Sequence, residues 1–222
     1  MCGRFTQYLT WAELHRLSSL LLNDGRNLQA RYNIAPTTTV DVIRLNAEGR
    51  QELVPMRWGL VPGWWDKPLN KVPATFNARI ETVEKMPMFR DAWKKRRCII
   101  PASGFFEWTG DKGAKIPHYF TASDGNPMAF AGLWDRWKNE LGDEVLSCTI
   151  IVGEGNDWMQ EFHDRSPVLL DPSDFEAWLN GTAGKEILRQ PPVGAMREWI
   201  VSTRVNKSGE SDDDPETVRP IE

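Results

Sequence analysis

The sequence predicts an α+β domain built on mostly antiparallel, barrel-like β-sheet with a few short helices. Two observations carry this. Short runs rich in β-branched and aromatic residues recur along the chain between Gly, Pro and Asp, and strand–helix–strand alternation is scarce. With 222 residues, the chain is long enough to form one domain, 1–222, that hides roughly 70% of the surface its unfolded form exposes. Neither a metal nor a disulfide is needed for such a core.

In chain order, Thr10 and Glu13 form a capping box, and Leu14, Leu17 and Leu21 follow at helical spacing before Gly25. A helix over about 11–23 is expected. The runs 37–45 and 51–58, separated by "NAEGR", read as a hairpin. Further strands are expected near 98–101, 104–108, 118–122, 128–134, 145–152 and 197–203. Short helices are expected at 86–95 and 172–179, the second capped by Asp171 with Pro172 at its first position. The acidic Gly/Ser/Pro stretch from Ser208 to Pro215 reads as a solvated loop.

Composition narrows the function classes. The net charge of −4, from 27 Lys and Arg against 31 Asp and Glu, excludes a surface uniformly coated in positive charge but leaves a single basic groove open. No apolar run approaches the ~18 residues of a membrane span, and "MCGRFTQYLT" lacks the apolar core of a secretion signal. A cytoplasmic protein without membrane contacts is expected. Three cysteines, Cys2, Cys98 and Cys148, form no C-x-x-C pair, so no zinc or other metal site and no cofactor is implied. Cys98 and Cys148 lie in apolar runs and read as core thiols. The 11 Trp outnumber 9 Phe and 3 Tyr. Because a buried indole N–H must find a partner, some of these rings are expected on a surface or in a cleft, facing a flat partner.

Cys2 follows the initiator Met, and so small a side chain favours removal of Met1. The mature chain then starts with an α-amine titrating near about 7.7–8.0 beside a thiol near about 8.5, a few per cent of it thiolate. Such an aminothiol condenses with an aldehyde: the amine forms a Schiff base, and the sulfur closes a five-membered thiazolidine. The bland alternative is a small residue on a fraying terminus. Three other segments carry chemistry. "NARIET" (77–82) offers Asn77 and Arg79 in a loop-like stretch; "ASGFFEW" (102–108) sets Glu107 beside Trp108 in an aromatic strand, either facing solvent or buried with a raised pKa; "FHDRSPV" (162–168) puts His163, Asp164 and Arg165 on a turn before a proline. His15 and His118 have no comparable setting.

Taken in order, "MCGRF", "RYNIAP", "WGLVPGWW", "NARIET", "RRCIIPASGFFEW", "AGLW" and "HDRSPV" span residues 1–168. The sequence closely resembles the SRAP family, the abasic-site processing proteins also called SOS-response-associated peptidases. The resemblance implies a DNA-damage sensor that binds single-stranded DNA, crosslinks to an abasic site through Cys2 and shields the lesion from strand cleavage. It assigns Asn77 to orienting the terminal amine, Glu107 to proton transfer as the Schiff base forms and collapses, and His163 to hydrogen-bonding the deoxyribose and opening its ring. It places DNA around Arg4, Pro36, Trp64, Trp65, Arg79, Trp108 and Arg165, with guanidinium forks for phosphates and rings for bases. Removal of Met1 by the protein itself and Schiff-base lyase chemistry belong to the same picture.

A monomer is expected, with abasic single-stranded DNA as partner and replication-fork proteins as further candidates; on DNA it joins the nucleoid. The "KKRR" run (94–97) reads as a solvated face. Two departures stand out: Ser166 replaces the Met common after "HDR", and Glu154 and Asp157 bring acids to the segment before His163, which keeps Asn156. Two other classes compete: an N-terminal-nucleophile amidohydrolase such as a glutamine amidotransferase, and a non-covalent single-stranded nucleic-acid module.

Overall fold

A computed structural model describes residues 2–18, 26–139 and 141–221. The chain opens with β1 (Phe5–Gln7) and α1 (Trp11–Leu17), then β2 (Arg31–Ile34), β3 (Thr39–Leu45), β4 (Gln51–Trp58) and β5 (Asn77–Arg79). The middle holds α2 (Arg90–Lys95), β6 (Arg97–Ala102), β7 (Gly104–Thr109), β8 (Ile116–Ala122), β9 (Met128–Lys138) and β10 (Glu144–Glu154). It ends with α3 (Asp157–Gln160), β11 (Arg165–Pro167), α4 (Phe175–Asn180) and β12 (Met196–Ile200).

The architecture is α+β, with mostly antiparallel pairing. Five strands close on themselves: β4 pairs β3, β3 pairs β6, β6 pairs β9, β9 pairs β10, and β10 returns parallel to β4. Both β5 and β11 attach to the far half of β10. A second, five-stranded sheet runs β12-β8-β7-β1-β2. Barrel closure needs a close approach at Gly132, where a Cβ would meet Cys98 Sγ at 2.9 Å and the Thr149 carbonyl at 3.0 Å. Between the sheets lies a core holding Cys2, Phe5, Trp58, Cys98, Phe105, Phe120, Phe130, Cys148 and Ile150, so both mid-chain cysteines are core thiols.

The hairpin 37–45/51–58 is present as β3–β4, its turn tied by Asn46 Oδ1, which accepts from the Glu48 and Arg50 amides at 2.9 Å. The capping box at α1 is formed, with Ser18 as the C-cap; the expected continuation through Leu21 to Gly25 lies outside the described residues. The helix expected over 86–95 is α-helical only from Arg90; residues 87–89 lead into it as turns, with the Phe89 and Arg90 amides both donating to the Met86 carbonyl at 2.9 Å. Asp171 caps as expected, with Pro172 in the first turn of a 3-10 turn that leads into α4. The strand expected over 197–203 stops at Ile200, and Thr203–Asn206 winds into a 3-10 turn.

Two expectations are corrected. The "NARIET" and "HDRSPV" segments are not simply loop and turn: each supplies a three-residue strand on β10, too short to show an alternating pattern. Within "KKRR", Arg97 is buried rather than solvated, its guanidinium 4.6 and 4.5 Å from the Trp93 and Trp178 rings, and Arg96 pairs with Asp135 at 3.0 Å. The acidic stretch 208–215 is a loop of exposed and half-buried residues, as expected, and Asp212 anchors it to β2, its carboxylate meeting Arg31 at 2.6 Å and the Asn33 amide at 3.0 Å.

Between β6 and β7 the chain crosses from barrel to second sheet at Ser103–Gly104. An added Cβ at Gly104 would overlap the Tyr119 phenol and sit 2.6 Å from the Phe120 carbonyl. Gly104→Ala is therefore expected to cost about 3 kcal/mol, read as a lower urea midpoint with an unchanged m-value.

Candidate functional site

Register brings the N-terminus to Glu107. Strand β1 pairs antiparallel with β7, Phe5 opposite Phe105 and Thr6 opposite Gly104, and the Phe106 amide donates to the Arg4 carbonyl at 3.0 Å. Continuing the same register sets Glu107 opposite Gly3, one residue from Cys2. From the other side, β5 runs parallel to β10 with Asn77 beside Ile150, and Asn77 Nδ2 donates to the Cys2 carbonyl at 2.7 Å. Asn77 Oδ1 is buried without a hydrogen-bond partner among the described residues. Cys2 itself is fully buried, its Sγ 3.8 Å from the Arg4 carbonyl. Met1 lies outside the described residues.

Burial sets the protonation states. Glu107 is 2% exposed; burial pushes its carboxyl up to about 7, and the nearby Asp164 charge adds to the rise. The Cys2 thiol is raised far above its ordinary value by burial and by the Glu107 carboxylate. That corrects the expectation of a few per cent thiolate, which assumed a solvated terminus.

His163 follows α3, its amide donating to the Met159 carbonyl at 2.9 Å. Its Nδ1 accepts the Arg165 N–H at 2.9 Å, so the neutral ring in that tautomer carries its proton on Nε2. Burial lowers the His163 pKa, which keeps the ring neutral; Asp164 Oδ1, 2.8 Å from the same Nδ1, pairs with it only in the protonated form.

Asn77 is thus joined to Cys2 by a hydrogen bond and Glu107 acts on Cys2 by its charge, while the Asp164 charge acts on both Glu107 and His163. Two members escaped the sequence. His118 stands opposite Glu107 across β7–β8, bonded to Glu198 at 2.5 Å and Thr109 at 2.7 Å, with its ring 5.0 Å from Phe162, the neighbour of His163. Lys115 sits close enough to depress His163. Both lie in or beside a strand whose pairing partner no local pattern reveals.

The residues expected to meet DNA are spread more widely. Trp108 lines an open groove of about 500 Å³ with Arg4, Gly113, Lys115 and Asn206, its indole N–H donating to Asn206 Oδ1 at 2.6 Å. Arg79 is exposed, Arg165 pairs with Glu81 at 2.6 Å, and Pro36 is half-buried just after β2. Trp64 is 48% exposed, but Trp65 is half-buried; the contacts described for this pair are with each other and with the Lys67, Pro68 and Trp137 region, not with the four site residues. Arg4 is buried, and its guanidinium donates inward to Asn33, Val205 and Ser208. Most other indoles are core or half-buried rings satisfied by carbonyls, Trp58 by Phe76 and Trp178 by Cys98 among them. Of the departures, Ser166 is buried and donates to Gln190, Asn156 caps α3, and Glu154 and Asp157 are exposed.

A family model described as SOS response associated peptidase (SRAP) matches residues 1–208. The chain belongs to the SRAP family. Abasic site processing protein YoqW of Bacillus subtilis is 36% identical over 215 residues, spanning 93% of this chain and 94% of its own. Abasic site processing protein YedK of Escherichia coli is 34% identical over 193 residues, covering 84% and 83%, and abasic site processing protein HMCES of Gallus gallus is 28% identical over 267 residues, covering 100% and 78%. A crystal structure of a Bordetella bronchiseptica protein, 26% identical, superposes over 90% of this SRAP chain and all of its own with a TM-score of 0.79. A Bacteroides thetaiotaomicron protein, 23% identical, covers both chains fully at 0.82 and shows the shared fold.

Because the folded Glu107 pKa is raised from 4.5 to about 7, the native state holds a proton that the unfolded chain releases. Stability relative to Glu107→Gln is therefore full below about pH 4.5 and falls as pH rises through about 7, by roughly 3 kcal/mol at most. Urea titrations of both proteins at pH 4.5, 6, 7 and 8, each a condition of about that value, measure the difference.

Proposed function

We propose that this SRAP protein captures abasic sites in single-stranded DNA as a covalent thiazolidine through Cys2, after Met1 is removed, and shields the lesion from strand cleavage. The observation that carries the proposal is the hold on Cys2: Asn77 fixes its carbonyl while a buried carboxyl titrating near neutrality stands beside it.

The chemistry balances without a cofactor. His163 donates a hydrogen bond to the deoxyribose ring oxygen and eases opening to the aldehyde. The freed α-amine attacks the aldehyde carbon and forms a carbinolamine. Glu107 gives its proton to the departing hydroxyl, so water leaves and a C=N bond remains. The nitrogen keeps its own hydrogen, so the C=N group is a protonated imine; sulfur bonds to its carbon as the S–H proton moves to the Glu107 carboxylate, which restores the carboxyl and leaves a neutral ring N–H. The net reaction joins aldehyde and aminothiol with loss of one water. A pKa near 7 lets one carboxyl serve as acid and then as base. Since the buried thiol is not ionised at rest, its deprotonation depends on that carboxylate, which gives Glu107 a second role.

Around the lesion, Arg165 and the exposed Arg79 would hold phosphates, with the Glu81 pairing of Arg165 exchanged for a phosphate oxygen. The exposed Trp64 and the half-buried Trp65 and Trp108 offer stacking surfaces worth roughly 1–3 kcal/mol per base and indifferent to sequence, and Pro36 packs beside the strand. The protein would work as a monomer in the cytoplasm and on the nucleoid, meeting replication-fork proteins where single strands form. The family's description as a peptidase supports a companion role for Glu107 in Met1 removal, and the imine intermediate is the species from which lyase cleavage would branch.

Wild-type protein incubated with single-stranded DNA carrying one abasic site is expected to give a covalent band on a denaturing gel. Cys2→Ala gives none, and Glu107→Gln slows adduct formation about 100-fold or more. No adduct from the wild type, or as much from Cys2→Ala, overturns the proposal. Intact mass reports Met1: the wild type lacks it, and Glu107→Gln retains it if that carboxyl takes part in its removal.

A further inference from the structure

We propose that Asp212 is a positioning residue for the Cys2 nucleophile, acting through Asn33 and Arg4. It rests on Cys2 being the nucleophile, as proposed above, and concerns a residue beyond the stretch that the family model matches.

The connection runs through hydrogen bonds at every step. The Asp212 carboxylate binds Arg31 Nε at 2.7 Å and the Asn33 amide at 3.0 Å, while the Asp212 carbonyl accepts from the Tyr32 amide at 2.7 Å. That lays segment 207–212 along β2. Asn33, 1% exposed, gives its side-chain amide to the carbonyls of Lys207 at 3.2 Å and Glu210 at 2.7 Å. Its Oδ1 is thereby aimed at Arg4 and accepts from the guanidinium at 2.5 Å. Val205 O and Ser208 Oγ accept two more Arg4 hydrogen bonds at 2.6 and 2.8 Å.

A guanidinium this buried needs acceptors in fixed places, since an unpaired buried charge is far costlier than an unpaired surface one. The 205–212 segment supplies them, and the Asp212 charge partly offsets the burial that lowers the Arg4 pKa. Arg4 is in turn the residue whose carbonyl lies 3.8 Å from Cys2 Sγ and accepts from the Phe106 amide at 3.0 Å. Fixing Arg4 from its side chain therefore fixes the short segment that leads from β1 back to the thiol beside Glu107. The inward donors also explain why Arg4, expected among the phosphate ligands, lies in the interior.

The test uses the full-length protein and its own internal standards. Cys2, Cys98 and Cys148 are all fully buried, so iodoacetamide labelling mapped by peptide mass separates local release from general loosening. In Asp212→Ala, Cys2 is expected to label threefold faster or more, with Cys98 and Cys148 at wild-type rates. Unchanged labelling of Cys2, or a parallel rise at all three, overturns the proposal. Ser208→Ala, which removes one acceptor of Arg4, is expected to move Cys2 labelling in the same direction by a smaller factor, and it decides the question if Asp212→Ala does not fold. At saturating abasic DNA, the Asp212→Ala adduct is expected to form threefold more slowly or worse; a wild-type rate counts against positioning. If wild-type protein forms no adduct at all, the nucleophile proposal fails, while the labelling still judges the hold on Cys2.

Discussion

Everything in the site depends on holding the start of the chain still. A terminus is ordinarily the least restrained part of a polypeptide, yet Cys2 is fully buried, with its carbonyl bonded to Asn77 and the carbonyl of Arg4, two residues on, bonded into β7. Two sheets grip it from opposite directions. Strand β5 reaches it from the barrel and β7 from the second sheet, so neither sheet alone would define the site.

The same burial that holds the terminus sets its chemistry. In a solvated strand Glu107 would be a spectator carboxylate; removed from water, it titrates near neutrality and can both donate and accept a proton. The thiol responds in the opposite functional sense, becoming harder to ionise. One desolvating environment thus creates an effective acid–base group and at the same time makes the sulfur rely on it. His163 is kept neutral by burial as well, and its tautomer is set by the backbone of Arg165.

Charge is handled differently at the site and at the periphery. Arg97 is stabilised between two indoles and Arg4 by a ring of acceptors, each largely shielded from solvent. Arg79 stays exposed, while Arg165 holds a partner of its own at the surface. The arginines differ in role because their surroundings differ, although all four stand within motifs or runs of basic residues that look alike in one dimension.

Much of the fold was legible where local rules suffice. The capping box at Thr10 and Glu13, the Asp171 cap and the β3–β4 hairpin each need only neighbouring residues, and the long apolar strands β6, β9 and β10 announce themselves by composition. Strands β1, β5 and β11 were not legible, because three residues carry no period; they are strands only because β7 and β10 present edges to them. The candidate residues Cys2, Asn77, Glu107 and His163 could be named from motifs, and the chemistry of an N-terminal aminothiol follows from its bonds alone. What the sequence by itself determined is thus the set of reactive groups and the elements built from local contacts. Only the tertiary structure decided which of those groups meet, that Glu107 is buried rather than solvated, that His118 lies opposite it and that Arg4 points inward. Protonation and pairing depend on distance through space and on the exclusion of water, and neither is a property of position along a chain.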